Sequence, residues 1–74
     1  MVMKGSQYDV LVRLMRGNPE SAANRAARRV LVDGIAQADA MRETGATRST
    51  VGDAVVRYRD AYQEICEVFD VKKR

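Results

Sequence analysis

The sequence contains no histidine and a single cysteine, Cys66. A structural metal site is therefore excluded by ligand count, and a cysteine nucleophile would lack a histidine base. No disulfide can form within one chain, which fits a reducing compartment, and Cys66 is expected to be a small buried hydrophobe. Because no acid, base and nucleophile can be grouped, we expect no catalysis, no cofactor, no metal and no small-molecule substrate.

Long hydrophobic runs are also missing. No stretch approaches the roughly 18 apolar residues that span a bilayer, and the N-terminal MVMKGSQ lacks the apolar core of a secretory signal. We therefore expect a soluble cytoplasmic protein without a membrane partner. A chain of 74 residues forms one domain, 1–74, with a modest core that usually gains from oligomerisation.

An excess of acidic charge is absent as well. The 13 basic residues outnumber the 10 acidic ones, and the excess lies in residues 1–59, which hold ten basic and six acidic side chains. Residues 60–74 hold three and four. This distribution favours a nucleic-acid partner weakly, because a small basic excess is also found on ordinary solvated surfaces.

Apolar residues at helical spacing predict a first helix over about residues 7–16. Ser6 is expected to cap it, Gly17 to end it, and residues 1–5 to be loose. The side chains expected on its inner face are Tyr8, Val10, Leu11, Leu14 and Met15.

A second helix is predicted to start at Asn18-Pro19, run to about Val32 and stop at Asp33-Gly34. Its alanine-rich inner face would let another helix approach closely. The outer face carries a basic cluster that could contact phosphates or remain solvated: Arg25, Arg28 and Arg29.

Residues 37–58, QADAMRETGATRSTVGDAVVRY, predict two helices joined by a tight turn. The first would run from about Gln37 to Thr44, and the second would start after Thr47, whose hydroxyl can cap Thr50. Gly45 supplies the positive φ of a sharp turn. This is a helix-turn-helix pattern, although an ordinary αα-hairpin has the same elements. The side chains expected inside the angle are Ala40, Ala46, Val51 and Ala54.

The outward face of the second of these helices is polar, with arginine at both ends, as suits a helix in a DNA major groove. Arg48 is the first candidate for a base contact, bidentate to a guanine. Ser49 and Asp53 come next, since Asp53 can accept from a cytosine amino group, and Val56 could meet a thymine methyl. Gly52 lies on the same face.

Other residues of this segment are candidates for phosphate contacts that set the register. They are Gln37, Thr47 and Arg57. At a helix N-terminus Gln37 is well placed for an anion, but it could equally be an exposed polar residue.

The last helix continues to about residue 69 with apolar residues spaced as in a heptad seam. Its later members either pack on the first helix or pair with the same helix of a second chain. The candidates for such a dimer interface are Tyr62, Ile65, Cys66 and Phe69.

ARRVLVDG (27–34), followed by the motif from Gln37 with Gly45, Thr47-Arg48, Val51 and Ala54, resembles the TrfB/KorA family of small plasmid-encoded transcriptional repressors. The similarity covers roughly residues 7–62. It implies an all-helical DNA-binding domain of the bacterial cytoplasm that binds symmetric operators as a dimer.

Three features depart from the family pattern. Ala40, with Met41 next to it, replaces a bulky residue, and Asp53 stands where relatives can carry an amide, so the operator sequence does not transfer. Longer relatives continue into a separate dimerisation region, so their mode of dimerisation does not transfer either.

We therefore predict an all-α domain of four or five helices with a helix-turn-helix motif, which represses transcription by binding double-stranded DNA at a palindromic operator as a homodimer. The alternative is a small helical interaction protein, such as an antirepressor or an inhibitor from a mobile element, that acts through its last helix. In that case Arg48 and Asp53 would merely be solvated.

Overall fold

The computed structural model describes residues 3–69, and within that range the chain forms four α-helices and no strand. The prediction of a small all-α domain is confirmed. None of the helices in this range is long and apolar enough to cross a membrane. The helices are α1 (Gly5–Leu14), α2 (Ala22–Asp33), α3 (Gln37–Thr44) and α4 (Arg48–Phe69).

The N-terminal segment is ordered earlier than the sequence predicted. Met3 is buried, and its N–H donates to the carbonyl of Leu31 at the end of α2, at 2.9 Å. The Lys4 N–H donates to Oε1 of Gln7 at 2.8 Å, so α1 begins at Gly5 and Ser6 does not cap it. The expectation that residues 1–5 are loose is wrong for residues 3–5. Met3 is held by a hydrogen bond to α2, and the residues next to Met3 in the sequence give no sign of that contact. Residues 1 and 2 lie outside the described range.

The buried face of α1 also differs from the prediction. Val12 is buried together with Tyr8 and Leu11, whereas Val10 and Leu14 are exposed, Leu14 to 67%. The helix ends at Leu14 rather than at residue 16. Because α1 packs against both α2 and α4, its inner face is rotated toward Val12, and an apolar strip is left on the surface.

The connection between α1 and α2 corrects the predicted start of α2. Asn18 does not cap that helix; its Oδ1 accepts the N–H of Glu20 at 3.0 Å and so forms a local turn. The N-cap is Ser21, whose Oγ accepts the N–H of Asn24 at 3.1 Å. Buried Asn24 also donates from Nδ2 to the carbonyl of Asn18 at 2.6 Å. The helix therefore starts at Ala22, and Asn24 holds the preceding turn against it.

The core lies where α2 crosses α4. Ala26 and Ala27 are fully buried, so the predicted close approach to α2 is found, and the rings of Tyr8 and Tyr58 meet edge to face at 5.1 Å. The Tyr8 hydroxyl donates to the carbonyl of Asn24 at 2.9 Å, and burial raises the pKa of Tyr8. The buried Tyr58 hydroxyl has no hydrogen-bond partner among residues 3–69.

Candidate nucleic-acid interface

The start of α3 presents unpaired backbone donors at the surface. Ala36 occupies the N-cap without a side-chain hydrogen bond, and the N–H groups of Gln37 and Ala38 donate to no acceptor among the described residues. Such groups, at the positive end of a helix dipole, favour an anion. Gln37 and Ala38 also line a concave region of 520 Å³ together with Met41 and Arg48, so one predicted phosphate candidate, Gln37, and one predicted base candidate, Arg48, share a depression.

The turn between α3 and α4 has the predicted geometry. Gly45 has φ of 79°, and the N–H of Thr50 donates to the Thr47 Oγ1 at 3.4 Å. Thr44 lies directly before the glycine of the turn, where an apolar residue is more usual. The hydrogen bonds of its hydroxyl explain why a polar residue fits there. The hydroxyl donates to the carbonyl of Ala40 at 2.8 Å and accepts the N–H of Ala46 at 3.3 Å. Thr44 thus satisfies backbone groups on both sides of the glycine.

The interior of the angle between α3 and α4 is filled by small residues, as predicted. Ala40 and Val51 are fully buried and Ala54 is nearly so, while Ala46 is partly buried. An alanine at position 40 therefore lets α3 and α4 come together without a bulky side chain between them.

The outer half of α4 carries every predicted base candidate at the surface. We call this set the α4 stripe: Arg48, Ser49, Gly52, Asp53, Val56 and Arg57. At 100° per residue these positions cover one half of the helix, and the other half is buried through Val51, Ala54, Val55 and Tyr58. A Cβ added to Gly52 would lie 3.9 Å from Oε1 of Gln37, so α3 approaches the stripe there.

The arginines differ in whether they are already paired. Arg28 binds Asp9 at 3.0 Å, and Arg29 bridges Asp33 and Glu43, both at 2.8 Å. Hydrogen bonds from Arg29 hold the pKa of Glu43 below its ordinary value. The basic cluster predicted on α2 is therefore largely neutralised within the fold.

By contrast, neither arginine of the α4 stripe forms an ion pair with residues 3–69. Arg48 and Arg57 are absent from the salt bridges of the described chain, which also pair Arg42 with Asp39 and Arg59 with Asp60. Both are exposed. The stripe can therefore offer two positive charges to a partner without first breaking an ion pair, while the Arg57 guanidinium also lies over the ring of Tyr58, 5.8 Å from its centroid.

The family model of the TrfB plasmid transcriptional repressors, KorA, matches residues 3–72, nearly the whole chain. The chain belongs to this family. No curated protein and no solved structure matches it significantly. The family resemblance predicted over residues 7–62 is thus confirmed, and the match reaches back to residue 3 and forward to residue 72.

For this repressor-family chain, the predicted dimer residues fall in two environments. Tyr62, Ile65 and Cys66 are partly buried and line a groove of 410 Å³ between α1 and α4, whereas Phe69 is 69% exposed. Tyr62 and Ile65 also pack against the monomer core. The sequence left open whether this seam packs on α1 or pairs with a second chain. Tyr62 and Ile65 pack within the monomer, whereas Phe69 lies outside its core.

Sequence reasoning missed part of this apolar surface. Val10 and Leu14 on α1 and Val68 on α4 are exposed beside Ile65 and Phe69. Helical spacing predicts that Val10 and Leu14 are buried, because they share that spacing with residues that are. A spacing signal can identify an apolar strip on α1, but it cannot separate the part that α4 covers from the part that it leaves open.

Proposed function

We propose that this protein is a sequence-specific DNA-binding repressor that occupies a symmetric operator as a homodimer in the bacterial cytoplasm. The observation that carries the proposal is the α4 stripe, an exposed half-helix with two unpaired arginines beside the open N-terminus of α3. In this arrangement α3 and α4 act as the helix-turn-helix, and α4 lies in the major groove.

Base contacts come from the first three turns of α4. Arg48 donates two hydrogen bonds to a guanine edge, and Asp53 accepts one from a cytosine amino group. Val56, which is 44% exposed, contacts a thymine methyl. Ser49 contributes a hydroxyl, and Gly52 lets the helix approach the base edges closely. Phosphate contacts come from Gln37, Thr47 and Arg57.

The experiment starts with selection of binding sites from random duplex DNA, followed by salt titrations on the selected operator and a scrambled duplex. Arg48→Ala should weaken operator binding by about 1–3 kcal/mol and relax one symmetric base-pair position. Asp53→Asn should change the preferred base. Arg57→Ala should weaken both duplexes alike and flatten the plot of log K against log salt by about one unit.

Arg13→Ala is the matched control, because it removes one exposed arginine from α1, next to Leu14, which faces the last part of α4 rather than the stripe. If Arg48→Ala and Arg13→Ala have equal effects on both duplexes, α4 does not read bases. If the wild type binds no duplex at low salt, the proposed function is wrong.

The homodimer forms through the apolar surface between α1 and the end of α4. Its exposed members are Val10, Leu14, Val68 and Phe69, and the groove behind them is lined by Tyr62, Ile65 and Cys66. A single helix in one groove contacts few bases, so useful specificity needs two half-sites about one helical turn apart.

Leu14→Ser with Phe69→Ser tests the dimer, because both side chains are about two-thirds exposed and contribute little to the monomer core. Sedimentation should show a folded monomer with weakened operator binding. A wild type that is monomeric both free and on DNA, with one chain per full site, would exclude the dimer.

The same apolar surface supports a second function, a protein-interaction module that binds another protein through α4. Retention on heparin or DNA-cellulose separates the two functions. Elution at moderate salt, with retention lost in Arg48→Ala, supports DNA binding, and failure to bind either matrix supports the interaction module.

A further inference from the structure

Gly52 leaves a shallow hollow in the outer half of α4, one helical turn after Arg48 and one turn before Val56. We call it the Gly52 hollow; the glycine backbone forms its floor, and Arg48 and Val56 stand at its two ends. We propose that this hollow receives the C5-methyl group of one thymine in each half-site. The proposal rests on the proposed DNA-binding function and deepens it, because it assigns a base to a position that has no side chain.

The fold of the free protein does not require a glycine at position 52. The glycines with positive φ in the described chain are Gly34 and Gly45, so Gly52 has a backbone conformation that other residues adopt. Outside its own helix, a Cβ added to Gly52 would meet only Oε1 of Gln37, at 3.9 Å, which is ordinary van der Waals contact. Glycine inside a helix is also less favourable than alanine. The space is therefore open in the free protein and available to a group of the ligand.

Val56 gives the hollow an apolar wall. Side chains on a helix lean toward its N-terminus, so Val56 leans back over Gly52. Val56 is 44% exposed, and the other large exposed hydrophobics of α4, within residues 3–69, are at its end, Val68 and Phe69. An exposed apolar side chain beside an empty space of methyl size suits a small apolar group.

The chemistry of the hollow selects thymine. In the major groove the C5-methyl of thymine is the one methyl group on a base edge, and the other groups that distinguish bases are hydrogen-bond donors and acceptors. The carboxylate of Asp53, next to Gly52 on the exposed half of the helix, repels phosphates and so disfavours the DNA backbone here. Arg48 is about 6 Å away along the helix axis, so the thymine should lie within about two base pairs of the guanine that Arg48 contacts.

Replacement of thymine by uracil tests the site, because it removes the C5-methyl and keeps the hydrogen-bonding groups of the base. Uracil replaces one thymine at a time, at the same position in both half-sites of the selected operator. At one position the wild type should bind on the order of tenfold more weakly, since each buried methyl contributes roughly fourfold in affinity and a dimer loses two. That position should lie within two base pairs of the one that Arg48→Ala relaxes.

Gly52→Ala fills the hollow with a methyl group of the protein itself. Its Tm should equal or exceed that of the wild type, because the space is open and alanine favours the helix. It should bind the thymine operator on the order of tenfold more weakly than the wild type, and uracil at the sensitive position should cause no further loss. Ser49→Ala is the matched control. It changes a neighbouring residue of the stripe and leaves the hollow open, so it should keep the full uracil effect.

Four results overturn the proposal. In the first, Gly52→Ala binds the operator as tightly as the wild type; in the second, its Tm falls well below that of the wild type, so that the fold itself requires the glycine. In the third, no uracil weakens the wild type, or Gly52→Ala loses as much on uracil replacement as the wild type does. In the fourth, Gly52→Ala weakens the operator and the scrambled duplex equally, which would assign the hollow to the DNA backbone.

The proposed function can be judged separately with Arg48→Ala. It survives all four results if Arg48→Ala still lowers binding to the operator selectively, and it fails if the wild type binds no duplex.

Discussion

The edge-to-face pair Tyr8 and Tyr58 allows one chemical change to be made twice with opposite expected results. Each tyrosine is replaced by phenylalanine, which keeps the ring and its edge-to-face contact. Tyr8→Phe removes a buried hydrogen bond to the carbonyl of Asn24. Tyr58→Phe removes a buried hydroxyl that has no partner in the described chain.

The magnitudes follow from these two environments. A buried neutral hydrogen bond contributes about 1 kcal/mol net, so Tyr8→Phe should lower the free energy of unfolding by about that amount. A buried polar group without a partner costs about 1–3 kcal/mol, so Tyr58→Phe should raise the free energy of unfolding by about 1 kcal/mol after allowance for the small void. In a domain of this size 1 kcal/mol corresponds to roughly 4–8 °C in Tm.

Thermal and urea melts at one fixed protein concentration measure both effects, since a dimer would make Tm depend on concentration. Tyr58→Phe should melt above the wild type and Tyr8→Phe below it. If the two variants are destabilised equally, the Tyr58 hydroxyl has an acceptor in the free protein. The packing of the α1–α2 connection against α4 would then be wrong.

Three further predictions concern the turns and the link between α2 and α3. Gly45→Val should cost about 1–3 kcal/mol because φ is 79° there, and an unchanged Tm would show that the turn does not need this conformation. Gly17→Ala should also cost about 1–3 kcal/mol, through its clash with the Tyr58 hydroxyl, and Tyr58→Phe should restore part of the loss; additive losses in melts of the double variant would contradict the clash. Glu43 has a lowered pKa beside Arg29, so its stabilising effect should be present above the unfolded-state pKa and disappear as pH falls through the folded pKa. The Tm difference between the wild type and Glu43→Gln should therefore shrink on acidification. A difference that grows as the pH falls would show that the Glu43 carboxylate does not stabilise the fold through Arg29.

The parts of the fold that the sequence predicted well are those coded by neighbouring residues. Gly34 and Gly45 both adopt positive φ, at 77° and 79°, and α3 spans the predicted Gln37–Thr44. A glycine after an amphipathic stretch marks the end of one helix, and a threonine three residues before Thr50 can cap the next. Each of these signals involves residues within one helical turn of each other. The positions of α3 and the beginning of α4 follow from such signals.

The errors lie where burial and distant contacts add to the local signals. The hydrogen bond from the Lys4 N–H to Gln7 is local, but the chain before it is held by the Met3 hydrogen bond to Leu31, 28 positions away. The late start of α2 reflects competition between Asn18 and Ser21, two good caps three residues apart. Ser21 prevails because Asn24, the third residue of the helix, is buried and bonds both to it and to the preceding turn.

The candidate site shows the same division. The members of the α4 stripe could be selected from helical periodicity, and all of them are exposed except Gly52, which is partly buried. Which arginines remain unpaired could not be predicted, because Arg28 meets Asp9 across 19 positions and Arg29 meets Glu43 across 14.

The unbroken length of α4 constrains how the protein can tolerate changes in its target. The helix has 22 residues, about 33 Å, and carries the stripe at one end and exposed Phe69 at the other, with no hinge between them. In a dimer joined near Phe69, the two stripes are consequently held at a fixed separation and rotational phase. Adding one base pair between the half-sites moves one half-site relative to the other by about 3.4 Å and about a tenth of a turn. A helix without a hinge cannot adjust to this change. Deleting one residue between Arg59 and Gln63 would turn the stripe by about 100° relative to the interface. Operator spacing and helix length can therefore change only together.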